Sequence, residues 1–103
     1  MTKQEIYNLL NNVAPTYYSH APLGTYLPFI TYITDHDNNF GADNMVYKQV
    51  TGVTITLYMS ENDLNLEDMI NNALDDAGIY WTSSSDYDES QKLYTTIYET
   101  EVI

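Results

Sequence analysis

The residues best placed to do chemistry are Asp35, Asp37 and Asn39. Side-chain oxygens at alternate positions open a calcium-binding loop, because a hard cation needs many oxygen ligands from a short stretch of chain. The continuation does not fit that chemistry. Phe40 stands where the sharp turn requires glycine, and Val46 stands where a bidentate glutamate would close the site. A helix should also enter such a loop, and here a strand is expected. The alternative is an ordinary polar loop whose Asn and Asp residues tolerate left-handed backbone. Two histidines, His20 and His36, also fall in predicted loops. No serine lies in a nucleophile elbow and no glycine-rich phosphate loop precedes a helix. The carboxylates fall mostly on predicted wet faces or turns, and spacing alone singles out no acid–base couple. The expectation is therefore a protein with no catalytic residues, no metal and no cofactor, and not an enzyme.

Composition narrows the function further. There is no cysteine, which excludes a disulfide scaffold, cysteine-ligated zinc and thiol catalysis and fits a cytosolic protein. Three lysines (Lys3, Lys48 and Lys92) face 15 carboxylates with no arginine, for a formal net charge of −12. Sequence-independent nucleic-acid binding needs several cations to displace phosphate counterions. Anionic membrane surfaces demand the same. Both are rejected, and the acidic field keeps the chain soluble while pushing polyanions away. No apolar run reaches membrane-spanning length. Residues 1–13 lack the basic and apolar regions of a signal peptide. Tyrosine is abundant, at 11 residues against two phenylalanines and one tryptophan. A ring with a hydroxyl suits half-buried strands and protein interfaces alike.

The elements that would position these residues are legible in the pattern. A chain of 103 residues corresponds to one domain spanning 1–103. Thr2 and Glu5 form a capping-box pair, and Ile6, Leu9, Leu10 and Val13 recur at helical spacing until Pro15 ends the helix. Residues 15–24 read as a connecting loop with Pro22 and Gly24 as breakers. Residues 27–34 read as a strand entered through Pro28. Residues 35–44 read as a polar loop, and 45–59 as a strand alternating from Val53 onward, with a bulge or bend at Gly52. Leu66, Ile70, Ala73, Leu74 and Ala77 form the stripe of a second helix, closed by Gly78. Asp75 and Asp76 sit at its C-terminal end, where the helix dipole disfavours them. A short strand at 79–83, a polar turn at 84–89 and a strand at 92–102 follow. On the last strand Tyr94, Thr96, Tyr98, Thr100 and Val102 share one side, with Leu93 and Ile97 on the other. The predicted class is α+β: an antiparallel sheet of about four strands with two helices on one face, in the order α-β-β-α-β-β. Within the 35–44 loop, Phe40 is an aromatic among polar residues, either folded back on the core or offered to a partner.

An ordered set of short segments carries a family resemblance. These are Leu27-Pro28-Phe29-Ile30, Asn39-Phe40-Gly41-Ala42-Asp43-Asn44 with Tyr47, Val53 to Tyr58, Gly78-Ile79-Tyr80-Trp81, and Leu93-Tyr94 through Tyr98-Glu99. Together they make about three quarters of the chain similar to the tail-terminator, or tail-completion, proteins of long-tailed bacteriophages of Gram-positive bacteria. Residues 1–26 match only in having a helix and then a loop. The resemblance implies a sheet-and-two-helix subunit of a ring, usually a homohexamer, in the virion at the head–tail interface, assembled in the bacterial host cytoplasm. Such a ring caps the tail tube, ends its polymerisation and joins a head-completion or connector protein. DNA passes through its channel without being gripped. Asn38, Asn39, Phe40, Asp43 and Asn44 are the expected contacts with neighbouring subunits or the tail tube protein. Other readings that suit a small acidic α+β chain are a different head-completion or minor tail protein, and a small acidic inhibitor or DNA mimic.

Overall fold

A computed structural model describes residues 3–34, 51–60 and 64–102. The first helix, α1, spans Lys3–Asn11. Its Ile6 and Leu10, one turn apart, are fully buried, while Leu9 and Val13 are half-buried. The Asn11 side chain accepts a hydrogen bond from the Thr16 N–H at 3.3 Å, which ties the helix end to the strand that follows.

That strand is the first departure from the sequence expectation. Residues read as a connecting loop contain β1, Thr16–Tyr18. It pairs parallel to β2, Phe29–Thr34, in the register Thr16 to Ile30 and Tyr18 to Tyr32. Pro15 does not prevent this, since its carbonyl still accepts from the Ile30 N–H at 2.8 Å. Three residues are too few to show a periodicity, so only the pairing partner makes them a strand. The Leu27–Pro28 peptide bond just before β2 is cis.

β3, Thr51–Met59, is the centre of the sheet. Its odd residues are buried and its even residues half-buried without exception. The bulge expected at Gly52 is absent: the ladder to the last strand runs unbroken from Thr51–Val102 to Met59–Tyr94, with Gly52 opposite Glu101. The second helix, α2, covers Leu64–Asp76, and it buries Ile70 and Leu74. It closes as the glycine pattern predicts. Gly78 has φ 71° and its N–H donates to the Asp75 carbonyl, while the Ile79 N–H donates to the Leu74 carbonyl. These are the paired bonds of a Schellman motif, which satisfy carbonyls the helix leaves open.

β4, Trp81–Asp88, is longer than the short strand expected, and it runs through the stretch read as a polar turn. Its residues are almost all exposed, so hydrophobic alternation could not announce it. It forms because β5, Leu93–Val102, offers a full antiparallel edge on which to pair. Asp88 organises the turn between them, accepting from the Ser90 hydroxyl at 2.6 Å and the Ser90 N–H at 3.0 Å.

The result is α+β in the order α1-β1-β2-β3-α2-β4-β5, with five strands arranged β1-β2-β3-β5-β4. The expected sheet of about four antiparallel strands is thus corrected to a five-stranded mixed sheet. The added strand is the short parallel one at the edge. One cluster joins Ile6 and Leu10 of α1, Ile70 and Leu74 of α2, Ile30, the odd residues Val53 to Met59, and Tyr98. Both helices therefore cover the same face. Each fully buried Ile or Leu there contributes about 1.5 to 3 kcal/mol.

Candidate interaction surface

Because side chains alternate along a strand, a sheet covered by helices on one side shows its other set to the outside. Register assigns that second set. Tyr17, Phe29, Thr31 and Ile33 come from β1 and β2, and Thr54, Thr56 and Tyr58 from β3. Thr95, Ile97, Glu99 and Glu101 come from β5, and Thr82, Ser84, Asp86 and Asp88 from β4. No described helix packs on this face.

The two halves of the face differ. On the β1–β2–β3 side the Phe29 ring stacks on Tyr58 at 4.8 Å and meets Tyr17 edge-on at 6.4 Å. Such ring pairs add about 0.5 to 1.5 kcal/mol beyond burial, and all three rings are half-buried. Ile33 and Ile97 are exposed on the same face. The β5–β4 side carries Glu99, Glu101, Asp86 and Asp88, all exposed. Sequence order explains the division. From Ile6 to Thr34 the chain has no Asp, Glu, Lys or Arg, and every carboxylate but Glu5 lies from Asp35 onward. The helix and two strands built from the first third are therefore uncharged after Glu5, and the acidic strands fall at the far edge of the sheet.

A second polar feature joins α2 to the sheet on the covered side. The Glu67 carboxylate accepts from the Thr96 hydroxyl at 2.6 Å and more weakly from Ser85 at 3.5 Å. The Tyr98 hydroxyl reaches the Glu67 carbonyl at 3.5 Å. Burial pushes the Tyr98 hydroxyl pKa up, and the neighbouring charges of Glu67 and Asp68 push it further. These contacts satisfy polar groups at a half-buried seam, where an unpaired hydroxyl would cost free energy.

Among the sequence-predicted site residues, Asn38, Asn39, Phe40, Asp43 and Asn44 lie outside the described residues, as do Asp35, His36 and Asp37. His20 is exposed. Among the described residues, no group of three or more His, Cys, Asp or Glu is placed to hold a metal ion. No described helix is long and apolar enough to cross a membrane. The aromatic group Tyr17–Phe29–Tyr58 was not singled out from sequence. Its signal was present in part: alternation from Val53 puts Tyr58 opposite the core set, and the aromatic-rich strand from 27 to 34 contains Phe29. No protein-family model matches the chain, and no curated protein matches it.

Proposed function

We propose that this chain is a structural virion protein of the head–tail junction: a ring subunit that caps the tail tube, ends its polymerisation and lines a channel through which DNA passes without being gripped. Its partners on this reading are copies of itself, in a ring that is usually of six in the family it resembles, the tail tube protein, and a head-completion or connector protein. The observation that carries the reading is the division of charge. A ring subunit needs an uncharged surface to meet its neighbours and an anionic surface toward the passing phosphates. Here the uncharged stretch 6–34 supplies the Tyr17–Phe29 side of the sheet face opposite the helices, and the carboxylates of β4 and β5 lie toward the other edge. Screening confines the repulsion of DNA to roughly 8 Å at physiological salt, which is the scale of a channel wall.

Electron microscopy of tail tubes assembled with and without the chain tests this directly. Tubes of unlimited length in its absence, and capped tubes of uniform length in its presence, are expected. Identical length distributions would overturn the proposal. Tight binding of duplex DNA in a gel-shift assay would do the same.

Four exposed carboxylates on one sheet face favour a second reading, a small acidic inhibitor that competes with DNA for a basic protein. Competition assays against DNA-binding proteins separate the two, since a capping subunit should leave their DNA affinity unchanged.

A further inference from the structure

β4 ends the sheet, and no described strand pairs on its outer side. An edge strand presents a row of unpaired backbone donors and acceptors to any strand that reaches it, and proteins blunt such edges with proline, lysine, bulges or very short strands. β4 carries none of these devices. It runs for 8 residues, Trp81–Asp88, without proline or lysine, and everything beyond Trp81 is exposed. Its register with β5 is unbroken. The opposite edge, β1, has 3 residues.

Two hydrogen bonds show which backbone groups turn outward. Just before the strand, the Tyr80 carbonyl accepts from the Thr100 hydroxyl of β5 at 2.6 Å, so this even-numbered residue points its carbonyl into the sheet. The Tyr87 N–H donates instead to the Asp86 carboxylate at 2.8 Å, away from β5. Antiparallel pairing alternates the two directions along a strand. Ser83 and Ser85 therefore offer their N–H and C=O groups to the free edge, with Trp81 and Tyr87 on either side of them.

The side chains define what would pair there. Thr82, Ser84, Asp86 and Asp88 share the face opposite the helices, with Glu99 behind Thr82 in the register and the exposed Ile97 behind Ser84. A strand laid on β4 sets its own residues about 4.5 to 5.5 Å from this row. Basic residues opposite Asp86 and Asp88 form cross-strand ion pairs. A third, opposite the short Thr82, lays its stem over that side chain toward Glu99. An aliphatic residue opposite Ser84 meets Ile97.

We infer that β4 accepts a further strand from a different protein: an extended segment, antiparallel to β4, whose alternate residues run basic, basic, aliphatic, basic. Antiparallel order continues the ladder already present and is the more stable pairing per residue. A second copy does not supply the segment, because none of β1 to β5 contains lysine or arginine. Backbone pairing gives such a contact its affinity and the alternate side chains give it selectivity. The contact goes beyond the ring reading and stands or falls separately from it.

The probe is a synthetic peptide of the length of β4 whose alternate residues are Lys, Lys, Val and Lys with threonines between them. Its binding to the full chain is read by fluorescence anisotropy at low salt. On the deduced pairing the threonine amides face β4. N-methylation of the threonines should weaken binding at least about tenfold, while N-methylation of the Lys and Val amides should leave it intact. Hydrogen exchange should show the Ser83 and Ser85 amides protected by the unmodified peptide. Asp86→Lys should weaken binding several-fold, and Asp76→Lys, with the same net charge but on α2, should not. Equal responses to the two methylations, or to the two substitutions, would reveal general attraction to an acidic chain and overturn the inference. Absence of binding by the unmodified peptide, or protection elsewhere than β4, would overturn it too. The peptide comparison uses the unaltered protein, so it decides the matter even if Asp86→Lys fails to fold.

Discussion

At Asp75 two residue-scale effects compete. A carboxylate in the last turn of α2 opposes the helix dipole at a cost of about 0.3 to 1 kcal/mol. From the sequence this choice had no structural reason. The structure supplies one: the Asp75 carboxylate accepts the Trp81 indole N–H at 2.8 Å. A hydrogen bond to a charged group contributes about 1.5 to 3 kcal/mol, less where water competes, so the bond outweighs the dipole. Asp75→Ala should therefore lower stability by about 1 kcal/mol in urea unfolding. Asp76→Ala, which relieves the dipole alone, should raise it by a few tenths of a kcal/mol. Equal effects of the two substitutions would dismiss the Trp81 contact. Buried Tyr98 and half-buried Tyr32 make a pH prediction. Burial first, then Glu67 and Asp68, raises the Tyr98 pKa above the ordinary 10.0, and burial with Tyr7 and Tyr18 raises that of Tyr32. A folded-state pKa above the unfolded value means the native protein keeps a proton that the unfolded chain has released. Stability is then full below about pH 10 and falls as pH rises beyond it. The urea midpoint should drop as pH rises above about 10, and Tyr98→Phe should flatten the drop. An equally steep decline in that variant would remove Tyr98 as the cause.

Among the elements, α2 was readable in detail because its stripe, its acidic first turn and its terminal glycine all agree. Gly78 meets nothing within 4 Å of a built Cβ, so Gly78→Ala tests backbone conformation alone. With φ 71° it should cost about 1 kcal/mol, measured by chemical denaturation. A neutral result would mean the turn relaxes out of the left-handed region. The strands divide by visibility. β3 and β5 each bury one set of residues and leave the other more open, and period two revealed both. The β3 ladder passes Gly52 without a bulge because the β5 backbone pairs with it on one side, and hydrogen bonding does not require a side chain. The start of β4 was read as a short strand, but its continuation from Ser84 to Asp88 was misread as a turn because an exposed edge strand of Ser, Asp and Tyr has no buried face to generate alternation. β1 was missed because three residues are shorter than any usable period. In both cases the neighbouring strand decided the conformation.

For the whole molecule, the governing quantity is the net charge of −12. If copies of the chain meet through uncharged surfaces, their distant carboxylates still repel across the contact, and salt screens that repulsion. Self-association should therefore strengthen as ionic strength rises, seen as an increase in weight-average mass in sedimentation at high salt. A complex that dissociates with added salt would point to attractive ion pairs and contradict assembly through uncharged surfaces. The segregation of carboxylates could have been read directly from the sequence. Its meaning required the strand order, because only the sheet places the uncharged β1 and β2 at one edge and the acidic β4 and β5 at the other.

The sequence alone determined what is local or periodic: the α+β class, both helices, the alternating strands, the glycine-closed helix end and the acidic balance. Each follows from a residue's own conformational preference or from a repeat that burial imposes on neighbours along the chain. Only the tertiary structure decided what depends on residues distant in sequence. It added the parallel edge strand and carried β4 through a polar stretch. It gave Asp75 a partner in Trp81 and gathered Tyr17, Phe29 and Tyr58 on the face opposite the helices. Hydrogen-bond ladders and side-chain contacts belong to pairs of segments, and no single segment encodes its partner.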